Sequence, residues 1–292
     1  MAENVKSLRR RLRSIKNTKQ ITRAMEMVSA AKLRRSQDLL LAGRPYASKL
    51  QELLGRLAGS ATADHPYFEK REVRNRVLVL VTADRGLAGS FNAQLIKAAE
   101  KFLKESAGPV DLICVGKKGY DYFKSRQWNI LFSVIDFNGK LTYDRTNEVA
   151  ERIANVFTSG KADEIYVLYN SFVSTLVYRP TLEKMLPLDP EALLLKADAA
   201  AVADSNSDYL MEPSPNVVFS SLLPRYVNSK MYIIMAETFT AEHSARMVAM
   251  SAATKNCSEL IDKVSLAMNK ARQAAITKEI LEIVGGAEAL NG

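Results

Sequence analysis

The hydrophobic pattern is strongest at the two ends of the chain. From Arg225 to Val284 there is no Gly or Pro, the two residues that cost most inside a helix, about 1 and 3 kcal/mol. Within this run Ile234, Thr238, Ala241, Ala245, Val248 and Ala252 follow at alternating steps of four and three. After the polar Lys255-Asn256-Cys257-Ser258 the step resumes at Leu260, Val264, Ala267, Ala271 and Ala274. That is the period of a helix packed lengthwise on another helix, and the slip reads as a stutter. At about 1.5 Å per residue the run spans ~90 Å. A globular core of this size has no room for it, so the helix must project and needs a partner.

The other terminus supplies one. Residues 1–42 also lack Gly and Pro, and Val5, Leu8, Leu12 and Ile15 fall at steps of three and four. The register shifts through Ile21, Met25 and Val28 and returns at Tyr46, Leu50, Leu53 and Leu57. Pro45, after Gly43-Arg44, is expected to kink or interrupt this helix. Two long terminal helices around a segment of different composition predict an antiparallel hairpin carrying a middle domain.

The middle segment changes period. Residues 59–70 read as a linker. Val77–Val81 is a short continuous apolar run, as in a strand buried on both faces. Val110–Gly116, Ile130–Phe137 and Ile165–Tyr169 repeat it, with helices predicted from Asn92, over 118–126 and over 143–157 between them. Thr175 to Pro187 continues extended. Strands alternating with helices imply βαβ crossovers. The predicted fold is therefore an α/β domain with a Rossmann-like, mostly parallel sheet, joined to a long antiparallel coiled coil. Residues 1–58 and 209–292 form the coil, 75–192 the α/β domain, and 59–74 and 193–208 the connectors.

The loop from Thr82 to Ser90 lies where such folds bind phosphate, between a strand and a helix. Its glycines, Gly86 and Gly89, do not make GxGxxG, and no Lys-Ser/Thr follows as a P-loop requires. Asp84 and Arg85 are candidates for catalysis or for capping the next helix.

Charge alters the picture of the N-terminal helix. The net charge is +9 over 292 residues. Residues 1–35 hold eleven Lys and Arg against Glu3 and Glu26, so the whole excess sits there and the remainder is balanced. The partner of this helix should be acidic and in close contact, because charges are screened within about 8 Å at physiological salt. A transit peptide is also Arg-rich, but here the helical pattern runs past residue 40. In a nucleic-acid-binding basic zipper the basic region precedes the apolar seam, whereas here Val5–Ile15 interleave with the arginines. A plain solvated face is the third reading. No apolar run reaches the 18 residues of a membrane span. Cys114 and Cys257 are far apart, and His65 and His243 are isolated, so neither a disulfide framework nor a metal site is indicated.

Three separated motifs resemble one family. Asn17-Thr18-Lys19-Gln20-Ile21-Thr22-Arg23-Ala24-Met25-Glu26-Met27-Val28-Ser29-Ala30-Ala31-Lys32 resembles the N-terminal helix of the gamma subunits of rotary F-type ATP synthases, bacterial type. Ile276-Thr277-Lys278-Glu279-Ile280-Leu281-Glu282-Ile283-Val284-Gly285-Gly286 is similar to that family's C-terminal signature. Glu242–Met250 and the Thr82–Asn92 loop match it as well. The resemblance implies a central rotor stalk with no catalytic residue and no cofactor of its own. It implies partners: three alpha and three beta subunits, an epsilon subunit and the ring of c subunits. It implies no nucleic acid, and contact with the membrane only through that ring. By family match Met25, Arg246, Gln273, Thr277 and Glu279 would touch the catch regions of beta, and Tyr209 and Glu212 the c ring. A start at Met1 without a presequence points to the cytoplasmic face of a bacterial inner membrane. A shaft turning in a sleeve is expected to show no sticky apolar face, and Gly285-Gly286 looks like a helix stop.

Overall fold

A computed structural model describes residues 5–58, 65–190, 193, 212 and 214–291. Two long helices hold the termini, α1 from Val5 to Ala58 and α5 from Pro215 to Asn291. Between them lie strands β1 (Arg76–Val81), β2 (Val110–Val115), β3 (Ile130–Val134), β4 (Glu164–Ser174) and β5 (Val177–Leu186). Helices α2 (Phe91–Glu105), α3 (Lys117–Lys124) and α4 (Tyr143–Thr158) make the crossovers, and a short 3-10 turn covers Pro66–Phe68. The chain divides into two compact units, residues 30–246 and residues 1–29 with 247–292.

The larger unit is built on the sheet. Its order is β3-β2-β1-β4-β5, parallel except for β5, which returns antiparallel beside β4. Strand β1 lies in the middle, paired with β2 and β4, and its alternating residues serve two cores. Val77, Val79 and Val81 join Val149, Ile153 and Phe157 of α4, together with Leu54 of α1 and Phe219, Leu223 and Met235 of α5. Leu78 and Leu80 face the other way, onto Phe91, Leu95 and Phe123. The period-2 alternation of one strand thus sorts two helical layers.

Pro45 does not interrupt α1, contrary to the sequence expectation. A proline costs a helix about 3 kcal/mol, and here packing on both sides outweighs that cost. Gly43 is the reason the packing is close. A Cβ there would sit 3.1 Å from the Tyr232 ring and 3.2 Å from the Ile233 side chain of α5. One position on, Arg44 Nη2 reaches Glu237 Oε1 at 3.4 Å. The glycine marks a close approach of two helices, not the end of one.

The smaller unit is a pair of helical segments. The hydroxyls of Thr22 and Thr254 meet at 2.8 Å. Counting outward in antiparallel register from that contact sets Lys19 opposite Cys257, Ile15 opposite Ile261, Leu12 opposite Val264, Leu8 opposite Met268 and Val5 opposite Ala271. Each of these residues is buried or half-buried. The seam therefore runs Met247, Met250, Thr254, Cys257, Ile261, Val264, Met268, Ala271 at unbroken steps of three and four. There is no stutter at Lys255–Ser258; Cys257 is itself a buried seam residue. Ile21 and Val28 do not belong to the seam: they are 60% and 57% exposed, while Thr22 and Ser29 are buried. Helix α5 also continues through Gly285-Gly286 to Asn291, so this pair is not a stop. Two glycines weaken a helix by about 1 kcal/mol each but do not forbid it.

Candidate partner-contact surfaces

In an open α/β sheet, ligands bind beyond the carboxyl ends of the strands where the strand order reverses. Here that point lies between β1 and β4, and the chain's own groups close it. Asn170 of β4 is fully buried and its Nδ2 donates to the Phe91 carbonyl at the start of α2, 3.3 Å away. Asp84, after β1, turns its carboxylate to three backbone amides. Oδ1 accepts from Lys117 and Asp136, both at 3.1 Å, and Oδ2 accepts from Asn138 at 2.7 Å. The carboxylate ties three loops together. It does not cap α2; Asn92 Oδ1 accepts from the Ala83 amide instead, at 3.0 Å. Gly116, at φ 99°, lets β2's exit pass over Thr82, whose carbonyl oxygen would be 2.1 Å from an added Cβ.

One turn of α5 is hooked to three loops around this crevice. Arg246 Nε and Nη2 donate to the Gly86 carbonyl, both at 3.3 Å, and Nη2 donates to the Arg85 carbonyl at 3.4 Å. Nη2 also pairs with Glu242 Oε1 at 2.8 Å, one turn earlier on the same helix. His243 Nε2 donates to the Gly139 carbonyl at 3.3 Å, which leaves Nδ1 as an acceptor 3.5 Å from Arg246 Nη1. Ser244 donates to the Thr175 carbonyl. Gly139 is required here, since a Cβ would lie 2.5 Å from the His243 ring.

Burial sets the electrostatics of this turn. Desolvation pushes the Glu242 carboxyl above its ordinary pKa, with Arg246 opposing. It lowers His243 to about 4, so the imidazole is neutral. Lys32 of α1 donates to the Asn138 carbonyl at 3.3 Å, and its pKa is lowered by burial first and then by Arg85. From the sequence His243 is isolated, and Glu242 stands in a family motif with no role of its own. The Glu-to-Arg spacing of four on a helix was the available signal.

The structure separates the residues singled out from the sequence. Met25 is half-buried beside the seam of the smaller unit. Gln273, Thr277 and Glu279 are exposed on α5, and Thr277 Oγ1 bonds back to the Gln273 carbonyl at 3.0 Å. Arg246 is 8% exposed and its donors are engaged within the larger unit. Glu212 is exposed, and Tyr209 lies outside the described residues. His65 caps the short 3-10 turn through Nδ1, which accepts from Tyr67.

Along the paired segments the helical surfaces are more apolar than expected of a shaft. Ile21, Met27 and Val28 of α1 and Leu260 and Leu266 of α5 all face solvent. Every residue from Arg272 to Ala287 is exposed, among them Ile276, Ile280, Leu281, Ile283 and Val284. Burial ends at Ala271, where the antiparallel count reaches Val5, the first described residue of α1. None of the described helices is long and apolar enough to cross a membrane.

Comparison with known proteins places the chain among relatives. The family described as ATP synthase matches residues 4–290. The ATP synthase gamma chain of Symbiobacterium thermophilum is 43% identical, with all of both chains covered. That of Pelotomaculum thermopropionicum is 42% identical over 98% of this chain and 99% of its own. Among solved structures, a chain of the Euglena gracilis mitochondrial ATP synthase, OSCP/F1/c-ring, superposes with a TM-score of 0.69 at 21% identity. It covers 98% of this chain and 94% of its own. A chain from the central stalk and c ring of the Tetrahymena thermophila mitochondrial enzyme gives 0.59 at 22% identity, covering 80% and 99%.

Proposed function

The chain belongs to the ATP synthase gamma-chain family, and from that premise we propose that it is the central rotor stalk of a proton-translocating F-type ATP synthase. It carries no catalytic residue and holds no cofactor; its work is mechanical. Turned by the ring of c subunits, its asymmetric coil drives three beta sites in turn through different affinities for ADP, phosphate and ATP. Three alpha and three beta subunits surround the coil, while an epsilon subunit and the c ring meet the opposite end. The division of labour follows the sequence, with residues 1–58 and 209–292 as shaft and 75–192 as foot. The assembly sits on the cytoplasmic face of a bacterial inner membrane, which it touches only through the c ring.

The observation that carries this reading is the set of large apolar residues that the helical pair leaves outside its seam. Thr22, Ser29, Thr254 and Cys257 are in the seam, whereas Ile21, Met27, Val28, Leu266 and the Ile276–Val284 stretch are outside. Exposed apolar side chains on this scale mark a surface made to be covered. An enclosing ring supplies the cover, and its acidic loops suit the basic charge of residues 1–35. Met25, Gln273, Thr277 and Glu279 are its beta contacts, and Arg246 contributes from its fixed place on α5. Tyr209 and Glu212 serve the c ring.

Co-expression of a tagged chain with the alpha, beta, epsilon and membrane subunits of one bacterium tests this. The expected product is one copy of this chain with three alpha and three beta chains, pumping protons on ATP. Assemblies made without it should hydrolyse ATP without pumping. Pumping by an assembly that lacks the chain, or ATP turnover by the chain alone, would overturn the reading.

A further inference from the structure

Within the larger unit, α1 and the approach to α4 enclose a cavity of about 150 Å³. It is lined by Lys32, Arg35 and Ser36 of α1 and by Gly139, Lys140 and Thr142 from the other side. Three cationic residues therefore border one small space; Arg35 and Lys140 are exposed, and Lys32 also donates to the Asn138 carbonyl. No ion pair joins any of them to a carboxylate among the described residues, and the nearby Asp144 is exposed in the first turn of α4.

Two further features point into the same space. Ser36 is only 7% exposed, yet its hydroxyl has no hydrogen-bond partner among the described residues, and it lines the cavity. That hydroxyl is open to the cavity, where the oxygen of a ligand can accept from it. Thr142 is the N-cap of α4, a helix of 16 residues, and its side chain makes no capping bond. The first amides of a helix lack partners within it and favour an anion. Crowding of like charge is visible at Lys32, whose pKa is lowered by burial and then by Arg85, with Arg246 and Lys140 adding to it and Glu242 opposing.

We propose that this cavity binds a phosphate group. Two ammonium groups, a guanidinium and two hydroxyls offer more donors than a carboxylate's two oxygens can accept, and a tetrahedral oxyanion matches them better. The group comes either from free phosphate or from a nucleotide. The site adjoins the Asp84 crevice, since Lys32 donates to the carbonyl of Asn138, whose amide binds Asp84, and it does not depend on the rotor reading.

The test is titration calorimetry on the full chain, free of other subunits, with inorganic phosphate, ADP and acetate at equal ionic strength. Saturable one-to-one binding of phosphate is expected, and acetate should bind at least about tenfold more weakly. Lys32→Gln and Lys140→Gln should each weaken phosphate about tenfold, and Ser36→Ala several-fold. The surface control Lys101→Gln should change nothing. ADP binding more tightly and competing with phosphate would identify a nucleotide as the source; failure of ADP to compete would identify free phosphate. The proposal is overturned if neither phosphate nor ADP saturates, if acetate binds as well, or if folded Lys32→Gln and Lys140→Gln bind like the parent.

Discussion

Replacing Arg246 by Leu tests whether the hooked turn of α5 holds the larger unit together. The guanidinium and the Glu242 carboxylate are 10% and 5% exposed as side chains and 2.8 Å apart. Removing one member of such a pair leaves a buried charge uncompensated, which costs about 3–5 kcal/mol. The carbonyls of Gly86 and Arg85 lose a donor as well. One effect limits the loss: burial already raises the Glu242 pKa, so without Arg246 the carboxyl can take up a proton and shed its charge. We therefore expect about 3 kcal/mol, the lower end of that range. Glu242→Gln added to Arg246→Leu removes the stranded charge and should recover at least about 1 kcal/mol. Urea unfolding of the full chain, followed by the fluorescence of its single tryptophan, Trp128, measures both. That residue packs against the core on the α2 side of the sheet. A loss under about 1 kcal/mol for Arg246→Leu, or no recovery in the double variant, would refute the reasoning.

Three other outcomes are expected. His243 is lowered to about 4 from 6.5, so in that window the unfolded chain binds a proton that the folded chain refuses. Stability should then rise from pH 4 to 6.5, by at most about 3 kcal/mol. Glu242, with its raised pKa, acts in the opposite sense, so the difference between parent and His243→Gln in urea melts at several pH values is what counts; a pH-independent difference would contradict the assignment. Gly116→Ala places a Cβ against the Thr82 carbonyl at a φ of 99° and should cost more than the 1–3 kcal/mol of backbone strain alone; a soluble variant with an unchanged urea midpoint would contradict it. Deleting residues 276–292 removes Ile276, Ile280, Leu281, Ile283 and Val284, worth on the order of 5 kcal/mol if an enclosing ring buries them, whereas deleting 285–292 removes none of the five. Complex yield and ATP-driven proton pumping should fall sharply for the first deletion and little for the second, and equal damage from both would place the ring's apolar contact elsewhere.

The sheet was legible because its signals are local. Val77–Val81 and its successors are continuous apolar runs with helices between them, and each became a strand within one or two residues of its expected start. The loop at Thr82–Ser90 was legible as a place but not as a chemistry. That Asp84 is bonded to amides at 117, 136 and 138 depends on three loops that only the folded sheet brings together. The hooked turn at Glu242–Arg246 was hidden for the same reason, since its acceptors lie about 160 and 100 residues away in sequence.

The helical seam shows a different limit. Both ends were correctly expected to be long paired helices, because absence of Gly and Pro and a three-four step do not depend on what the face touches. The choice of face did depend on it. Periodicity assigns the most apolar stripe to the partner helix, on the premise that the other side meets water. Here Ile21 and Val28 are outside and Thr22 and Ser29 inside, so that premise fails over residues 21–29, while Leu8, Leu12 and Ile15 keep the expected face. Small polar seam residues suit a close helix pair: Thr254 meets Thr22 through a hydroxyl contact and also bonds its own helix at Met250. The apolar residues left over are then the mark of a second partner, and the error in the seam carries information. Where a helical pair buries Thr22 and Ser29 and leaves Ile21 and Val28 outside, the hydrophobic contact of those residues lies with something outside the chain.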